Sequence, residues 1–505
     1  MNDIYCDETI FLECIREQGK GPCQNLINLV SNNKLNGWIS SQVKYELLRL
    51  GLAPHKITET TKSFAEVPLR SSITDLMMSH KSGIASLHIL TAMQFGIKLI
   101  VTMALKRYEN SVEVTAITPH EVTEKIGVNI EKTVPFLDIK AQHFAIYNKI
   151  DNSITDIISS GSFVLGKYVE QFEKEFAQAH NAKYCIGLST GTDALHVAMT
   201  CIGVGVGDEV VVPVNTFIAT AEGVSLVGAT PVFVDSDKYY NMDTEALAHL
   251  LEKRFSKPGC RIKAIIPVHL YGQPAKMDEI LRIAEKYKVI VIEDACQAHL
   301  ASYKGVKVGN FGAMTAFSFY PGKNLGAYGE AGAIVTNNSE LYKHAKMYRQ
   351  HGEIERYHHE IIGHNYRMEA IQGAVLSAKM KYLPSWTEKR KKNARLYSDF
   401  LSGIPQVISP EELHGADCVY HLFVVQVERR DELRAYLEKH LISTGLHYPV
   451  PLHLQKAYSS LGYRKGDFPV AERVAGNMLS LPMFAELSEE QILYVCNTIR
   501  KFYTI

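Results

Sequence analysis

The sequence predicts an α/β protein built on a mainly parallel central sheet, and three observations carry that expectation. Apolar runs such as Val210-Val-Val-Pro-Val, Val289-Ile-Val-Ile-Glu-Asp294 and Ala316-Phe-Ser-Phe stop abruptly in polar residues, as strands buried on both faces do. The run Tyr184–Leu188 turns through Ser189-Thr-Gly191 into an apolar helical pattern that continues through Ala198 and Met199. Asp294 and Lys323 are both expected to emerge at the ends of such strands, where ligand chemistry gathers in open α/β sheets.

At 505 residues the chain exceeds one ordinary domain, and a length prior suggests about three. Lys plus Arg equal Asp plus Glu at 54 each. That balance carries no global footprint for nucleic acid or a membrane surface. A hydrophobic fraction of 46% suits a soluble protein with large cores. The nine cysteines lack metal-ligand spacing. Their odd number and the polar start Met1-Asn-Asp-Ile predict free thiols, no metal and a cytoplasmic location. Ile97-Lys-Leu-Ile-Val-Thr-Met-Ala-Leu is far too short to span a bilayer.

The expected domains are 1–127, 128–380 and 381–505. Residues 1–127 read as a small α/β unit, with strands at Asp3–Cys6 and Lys98–Thr102 and helices around Phe11–Arg16, Gln42–Leu50 and up to Phe95-Gly96. This order resembles a PIN domain, whose nucleases gather carboxylates around divalent metal. Asp7 and Glu46 match two such acids, but Ala85 and Ala104 stand where others are expected. The resemblance therefore implies a degenerate structural or interaction module, with an active nuclease and an unrelated α/β domain as alternatives.

Next comes Ser189-Thr-Gly-Thr-Asp-Ala-Leu-His196, where Gly191 permits a tight turn and the following helix start offers free N–H groups for a phosphate. Val210–Phe217 is a strand ending in a polar turn, and by itself Phe217 reads as a core aromatic. Asp294 and Lys323 lie 323 − 294 = 29 residues apart, room for a loop and another strand. Lys323 could be a solvated surface charge. Paired with a carboxylate, it suits pyridoxal phosphate, which needs an amine for its aldehyde and an acid beside its pyridine nitrogen. Cys296 fits a small buried hydrophobe.

Several of these segments together resemble the DegT/DnrJ/EryC1/StrS sugar aminotransferases of fold type I, from Val134-Pro-Phe-Leu-Asp138 to the C-terminus. They are Ser189–His196, Val289–Gln297, Ala316-Phe-Ser-Phe-Tyr-Pro-Gly-Lys323-Asn-Leu-Gly and Asn365-Tyr-Arg-Met. The resemblance implies a large α/β domain with a smaller α+β C-terminal domain. It implies that Lys323 forms the Schiff base with pyridoxal phosphate and that Gly191, Thr192, Asp193 and Ser318 hold its phosphate. Phe217 would stack on the ring, Asp294 would face the ring nitrogen, and Gln297 the phenolic oxygen. Asn365, otherwise a loop residue, would reach a neighbour's cofactor, implying a homodimer with shared sites. Glu330-Ala331 departs from the family's usual Asp-Gly. The His-rich stretch His351–His359 has no regular metal spacing and reads as a solvated loop.

Gly445-Leu-His-Tyr-Pro-Val-Pro-Leu-His453 is an extended segment braced by Pro449 and Pro451. It is either a proline-braced edge or a ligand-facing strip presenting His447, Tyr448 and His453, with Tyr320 as a fourth candidate for substrate. It resembles family members that aminate C3 of nucleotide-linked keto-sugars, especially dTDP-3-oxo-6-deoxyhexoses, with L-glutamate as amino donor. The alternatives are a UDP-3-oxo-acetamido-hexuronate as substrate, a keto-sugar dehydratase, which Lys323 opposes, and a non-enzymatic regulator, which lacks a basic recognition helix here.

Overall fold

The computed structural model describes residues 134–504 and, ahead of them, five short strands. The chain divides into two compact units, Met1–Thr133 and Val134–Ile505. In the first, β1 (Asp3–Cys6), β2 (Asn36–Ser40), β3 (Ala65–Val67), β4 (Leu99–Val101) and β5 (Thr115–Ile117) form a parallel sheet of order β3-β2-β1-β4-β5. Strands thus occur at Asp3–Cys6 and within Lys98–Thr102, as expected from the sequence. The expected helices and Asp7, Glu46, Ala85 and Ala104 lie outside the described residues.

The second unit opens with α1 (Ile139–Ser160), started by Asp138, whose carboxylate accepts the Ala141 N–H at 2.9 Å. Then come α2 (Lys167–Ala179), β6 (Tyr184–Leu188), α3 (Gly191–Cys201), β7 (Glu209–Pro213), α4 (Ala219–Leu226), β8 (Thr230–Val234), α5 (Thr244–Phe255), β9 (Ile262–Ile265), α6 (Met277–Tyr287) and β10 (Ile290–Asp294). The sheet is completed by β13 (Met314–Ser318) and β14 (Gly332–Thr336) in the order β6-β14-β13-β10-β9-β7-β8. Only the pairings of β14 are antiparallel. Between β10 and β13, β11 (Ser302–Tyr303) and β12 (Val306–Lys307) form a small separate ribbon with β18 (Ala416–Asp417).

Alternation along the strands builds two cores. In β7, Val210 and Val212 join the core under α3 and α4, while Val211 joins the one under α5 and α6. In β10 the same alternation separates two buried acids. Glu293 accepts the N–H groups of Gly309, Phe311 and Gly312 and the Thr315 hydroxyl, and pairs with His269 Nε2 at 3.1 Å. That carboxylate is saturated and structural, which leaves Asp294 as the one at the strand end.

After α7 (Ser339–Tyr348), the His-rich stretch forms an exposed hairpin of β15 (Glu353–Glu355) and β16 (His358–His359). The helix α8 (Ala370–Met380) leads to α9 (Leu383–Leu401) and an antiparallel sheet of β17 (Val407–Ile408), β19 (Phe423–Val427) and β20 (Met478–Leu481). This sheet shares a core with α9, α10 (Arg430–Lys439) and α12 (Glu489–Thr504), giving the smaller α+β lobe. Val134 belongs to that same core and pairs with Ile442, so the start of the family-like region docks on the C-terminal lobe. Helix α11 (Pro469–Asn477) is capped from β8's end, where Asp235 accepts the Val470 and Ala471 N–H groups. Among the described residues no helix is long and apolar enough to cross a membrane, and no group of three His, Cys, Asp or Glu could hold a metal ion.

Candidate active site

Strand register sets the site. Asp294 pairs with Ala316 across β10 and β13, and Ala295 N donates to Ala316 O at 2.9 Å, so the acid lies beside the strand that ends at Ser318. Asp294 is buried, with Oδ2 accepting from Thr220 Oγ1 at 2.7 Å and Oδ1 from Cys296 N at 3.1 Å. Thr216 Oγ1 lies 2.9 Å from Thr220 Oγ1 behind it.

The start of α3 closes over this corner. Thr190 caps it by accepting Asp193 N at 3.0 Å, and Ser189 Oγ donates to Asp193 Oδ2 at 2.6 Å. The amides of Gly191 and Thr192 are the first in the helix, have no intrahelical acceptor, and meet none among the described backbone groups. A Cβ on Gly191 would stand 2.6 Å from Ser318 Cβ and 3.1 Å from Cys296 Sγ. Only glycine lets the helix start come this close to the end of β13. The result is a pair of free N–H groups at the helix start with Ser318 beside them.

Lys323 sits in the loop after β13, its own N–H donating to Tyr320 O at 2.8 Å. Its side chain makes no hydrogen bond or ion pair among the described residues. Burial lowers its pKa, opposed by Cys296 and the charge of Asp294. The surrounding imidazoles are neutral. Burial, with the Lys323 charge next, lowers His447 to about 4, and burial, with the Lys323 and Arg390 charges next, lowers His421 far below its usual range. Burial also pushes the Cys296 thiol well up. Among the described residues, Lys323 therefore faces one carboxylate and no competing cation.

Gln297 links the two lobes. Its Oε1 accepts Tyr271 N at 2.8 Å and its Nε2 donates to Tyr448 OH at 3.0 Å. The Tyr448 ring lies 5.6 Å from the half-exposed ring of Phe217, and burial raises the Tyr448 phenol. His447 Nδ1 lies 2.8 Å from Ser480 Oγ, and its ring stacks on Phe136 at 5.7 Å. The segment bearing this pair is anchored at both ends, by Gly445 to Ser480 and by Leu452 N to Val214 O at 3.1 Å, just past β7.

The structure thus brings together Gly191, Thr192, Asp193, Ser318, Asp294, Gln297, Lys323, Phe217, His447 and Tyr448. Tyr320 is adjacent and 55% exposed, its N–H on Ser318 Oγ at 3.3 Å. His453 is not brought in. It is buried in the turn Leu452–Leu454, with Nε2 3.0 Å from Glu472 and its ring against Phe468 at 4.8 Å. The expectation that it meets substrate is corrected to a bracing role, because the proline-braced segment turns inward after Pro451. Asn365 is exposed, its Oδ1 accepting from Arg367 Nε at 3.0 Å, and makes no contact with the residues around Lys323 within the chain. At the departure, Glu330 is exposed and Ala331 is fully buried, its carbonyl accepting Phe319 N at 2.7 Å. Sequence reasoning missed Thr220, whose signal was its place four residues after Thr216, just past a strand end.

These residues fit pyridoxal phosphate. Free amides at a helix start, which the missing Cβ of Gly191 lets approach the end of β13, match a phosphate, and a half-buried amine with no partner among the described residues, beside a buried carboxylate, matches the aldehyde and ring nitrogen.

Comparison with known proteins agrees. The model of the DegT/DnrJ/EryC1/StrS aminotransferase family matches residues 145–500. The pleiotropic regulatory protein of Geobacillus stearothermophilus is 43% identical over 73% of this chain and 98% of its own. The dTDP-3-amino-3,4,6-trideoxy-alpha-D-glucose transaminase of Streptomyces venezuelae is 41% identical over 73% of this chain and 96% of its own. The crystal structure of S. venezuelae DesV superposes with a TM-score of 0.70 at 40% identity, covering 73% of this chain and 98% of that one. With the mainly parallel sheet, the smaller α+β lobe and a pocket suited to the cofactor, the chain belongs to the DegT/DnrJ/EryC1/StrS aminotransferase family and is a pyridoxal-phosphate-dependent aminotransferase of fold type I.

Proposed function

We propose that this enzyme transfers the amino group of L-glutamate to C3 of a nucleotide-linked keto-sugar, converting a dTDP-3-oxo-6-deoxyhexose to a dTDP-3-amino-3,6-dideoxyhexose. The observation that carries this reading is the pair His447 and Tyr448, held beside Lys323 by Gln297 and Ser480. Two neutral, hydrogen-bonding rings at that place suit the hydroxyls and ketone of a sugar without adding charge. The name of the S. venezuelae relative, a dTDP-3-amino-sugar transaminase, supports the same substrate class.

Bound pyridoxal phosphate supplies an electron sink for the charge that develops at the amino donor's α-carbon. The amides of Gly191 and Thr192, with Asp193 and Ser318, would hold the phosphate. Asp294, oriented by Thr220 and the Cys296 N–H, would face the ring nitrogen. Phe217 would cover a face of the ring, and Gln297 would meet its phenolic oxygen. Lys323 would act as the base that takes a proton from the α-carbon of the donor in one half-reaction and as the acid that delivers a proton to the sugar carbon in the other. Its lowered proton affinity brings the neutral amine nearer to working pH. Asn365, exposed and held by Arg367 in its own chain, reaches the site of a second copy in a homodimer.

The test is incubation of the purified enzyme and glutamate with a panel of dTDP- and UDP-linked keto-sugars, with mass detection of the amino-sugar. Amination of a dTDP-3-oxo-6-deoxyhexose is expected. Conversion of UDP-3-oxo-acetamido-hexuronate alone would move the assignment to the UDP series, and no product from any sugar would favour a regulatory role.

A further inference from the structure

The loop that carries Lys323 is irregular, and Asn324, Leu325, Gly326 and Ala327 in it are buried. Backbone groups in such a stretch need partners. Ala327 N donates to Phe319 O at 2.8 Å, and the side chain of Asn324 donates to Val419 O at 2.9 Å. Two others are supplied by α8. Lys379 Nζ donates to Gly326 O at 2.7 Å, and Gln372 Oε1 accepts Tyr328 N at 2.9 Å. These residues are 379 − 372 = 7 apart, two helical turns on one face. The fit is tight along this rail. A Cβ on Gly326 would stand 2.3 Å from Pro321 O, and one on Gly329 would stand 2.9 Å from Gln372 Nε2.

Lys379 is an expensive residue for mere packing. It is 0% exposed, and besides Gly326 O its amine meets only the face of Tyr328, 4.5 Å from the ring centroid. Burial lowers its pKa to about 8, opposed by Glu486. A Met would fill the same space without desolvating a charge, and α8 already uses Val375 and Leu376 for its apolar contacts. What Met could not do is hold the Gly326 carbonyl.

We propose that Lys379 is a positioning residue for the transamination, setting the path of the 320–327 loop through the Gly326 carbonyl and so the place of the Lys323 amine, with Gln372 fixing the loop's exit. This rests on Lys323 being the residue that captures the cofactor.

The test uses the full-length protein and its Lys379→Met and Gln372→Leu variants. Apo protein is mixed with pyridoxal phosphate, reduced with borohydride at timed intervals, and the label is located by peptide mapping. Visible circular dichroism of the bound cofactor and the kcat and KM for glutamate are read alongside. Lys379→Met is expected to fold, to label Lys323 on the order of tenfold more slowly, to alter the dichroic band, and to lower kcat with little change in KM. Folded Lys379→Met labelling Lys323 at the wild-type rate would overturn the inference. If that variant does not fold, Gln372→Leu decides: slowed labelling supports the rail along α8, and unchanged labelling overturns it. A wild-type label at another lysine would instead overturn the role of Lys323.

Discussion

Thr220 Oγ1 donates to Asp294 Oδ2 at 2.7 Å, and Thr216 Oγ1 lies 2.9 Å behind it. Since a carboxylate only accepts, the Thr220 proton points at Asp294 and Thr216 supplies the next donor. This buried chain holds one carboxylate rotamer at the end of β10. Thr220→Val keeps the shape and removes the donor. We expect a stability loss of ~1 kcal/mol and a fall in kcat of about tenfold, as misorientation of a charge opposite the ring would give. Denaturant unfolding and steady-state kinetics check both, and unchanged kcat would mean that Asp294 needs no orienting partner.

His447 is held neutral by burial and by the Lys323 charge, with its pKa at about 4. Its charge therefore does not change between pH 5 and 8. His447→Gln should raise KM for the nucleotide sugar by about tenfold, the scale of one or two lost hydrogen bonds, and much less for glutamate. The pH profile should keep its shape over that range. A pH inflection near neutrality that disappears in the variant would contradict a neutral His447.

Lys379 leaves a signature in stability as well as in rate. Its pKa is about 8 folded against the ordinary 10.5, so between these values the unfolded chain binds more protons and stability rises with pH. Below about pH 8 the ammonium is present in both states and the burial cost is full. Among the described residues, Tyr328 and Glu486 are the titratable groups that face it from neighbouring segments. Lys379→Met should remove this rise, so that wild type gains roughly 2 kcal/mol more than the variant between pH 7.5 and 10. Parallel pH dependence in the two proteins would show that the amine keeps its ordinary proton affinity.

Where apolar runs end in polar residues, the sequence was readable. Leu188-Ser-Thr-Gly191, Asp294 and Ser318 sit at strand ends as such runs imply, because a buried parallel strand needs uninterrupted apolar residues and the chain turns polar only where it emerges. Residues acting across elements were not readable. Thr220 meets Asp294 over 74 residues of sequence, and Lys379 meets Gly326 over 53. No periodicity encodes such pairings, since either residue alone reads as an ordinary helical position. His453 failed for a related reason: prolines announce an extended segment, but where it turns inward depends on the Glu472 and Phe468 that receive the ring.

Asn365 makes no contact with the Lys323 surroundings in its own chain. If it serves a second copy, Asn365→Ala and Lys323→Ala chains should each be poorly active or inactive alone. After verified subunit exchange, mixed samples should regain activity, because one site of each hybrid holds both residues. At most half of the sites in a hybrid can be restored. No recovery would argue for sites built from single chains.

The most direct test follows the nitrogen itself. The enzyme, ¹⁵N-labelled L-glutamate and dTDP-3-oxo-6-deoxyhexose are incubated together, and the product is read by NMR for ¹⁵N coupling at each sugar carbon, with Lys323→Ala run in parallel. Label at C3 with wild type and no product with Lys323→Ala is the expected result. Label at C4, or continued turnover without the Lys323 amine, would contradict it.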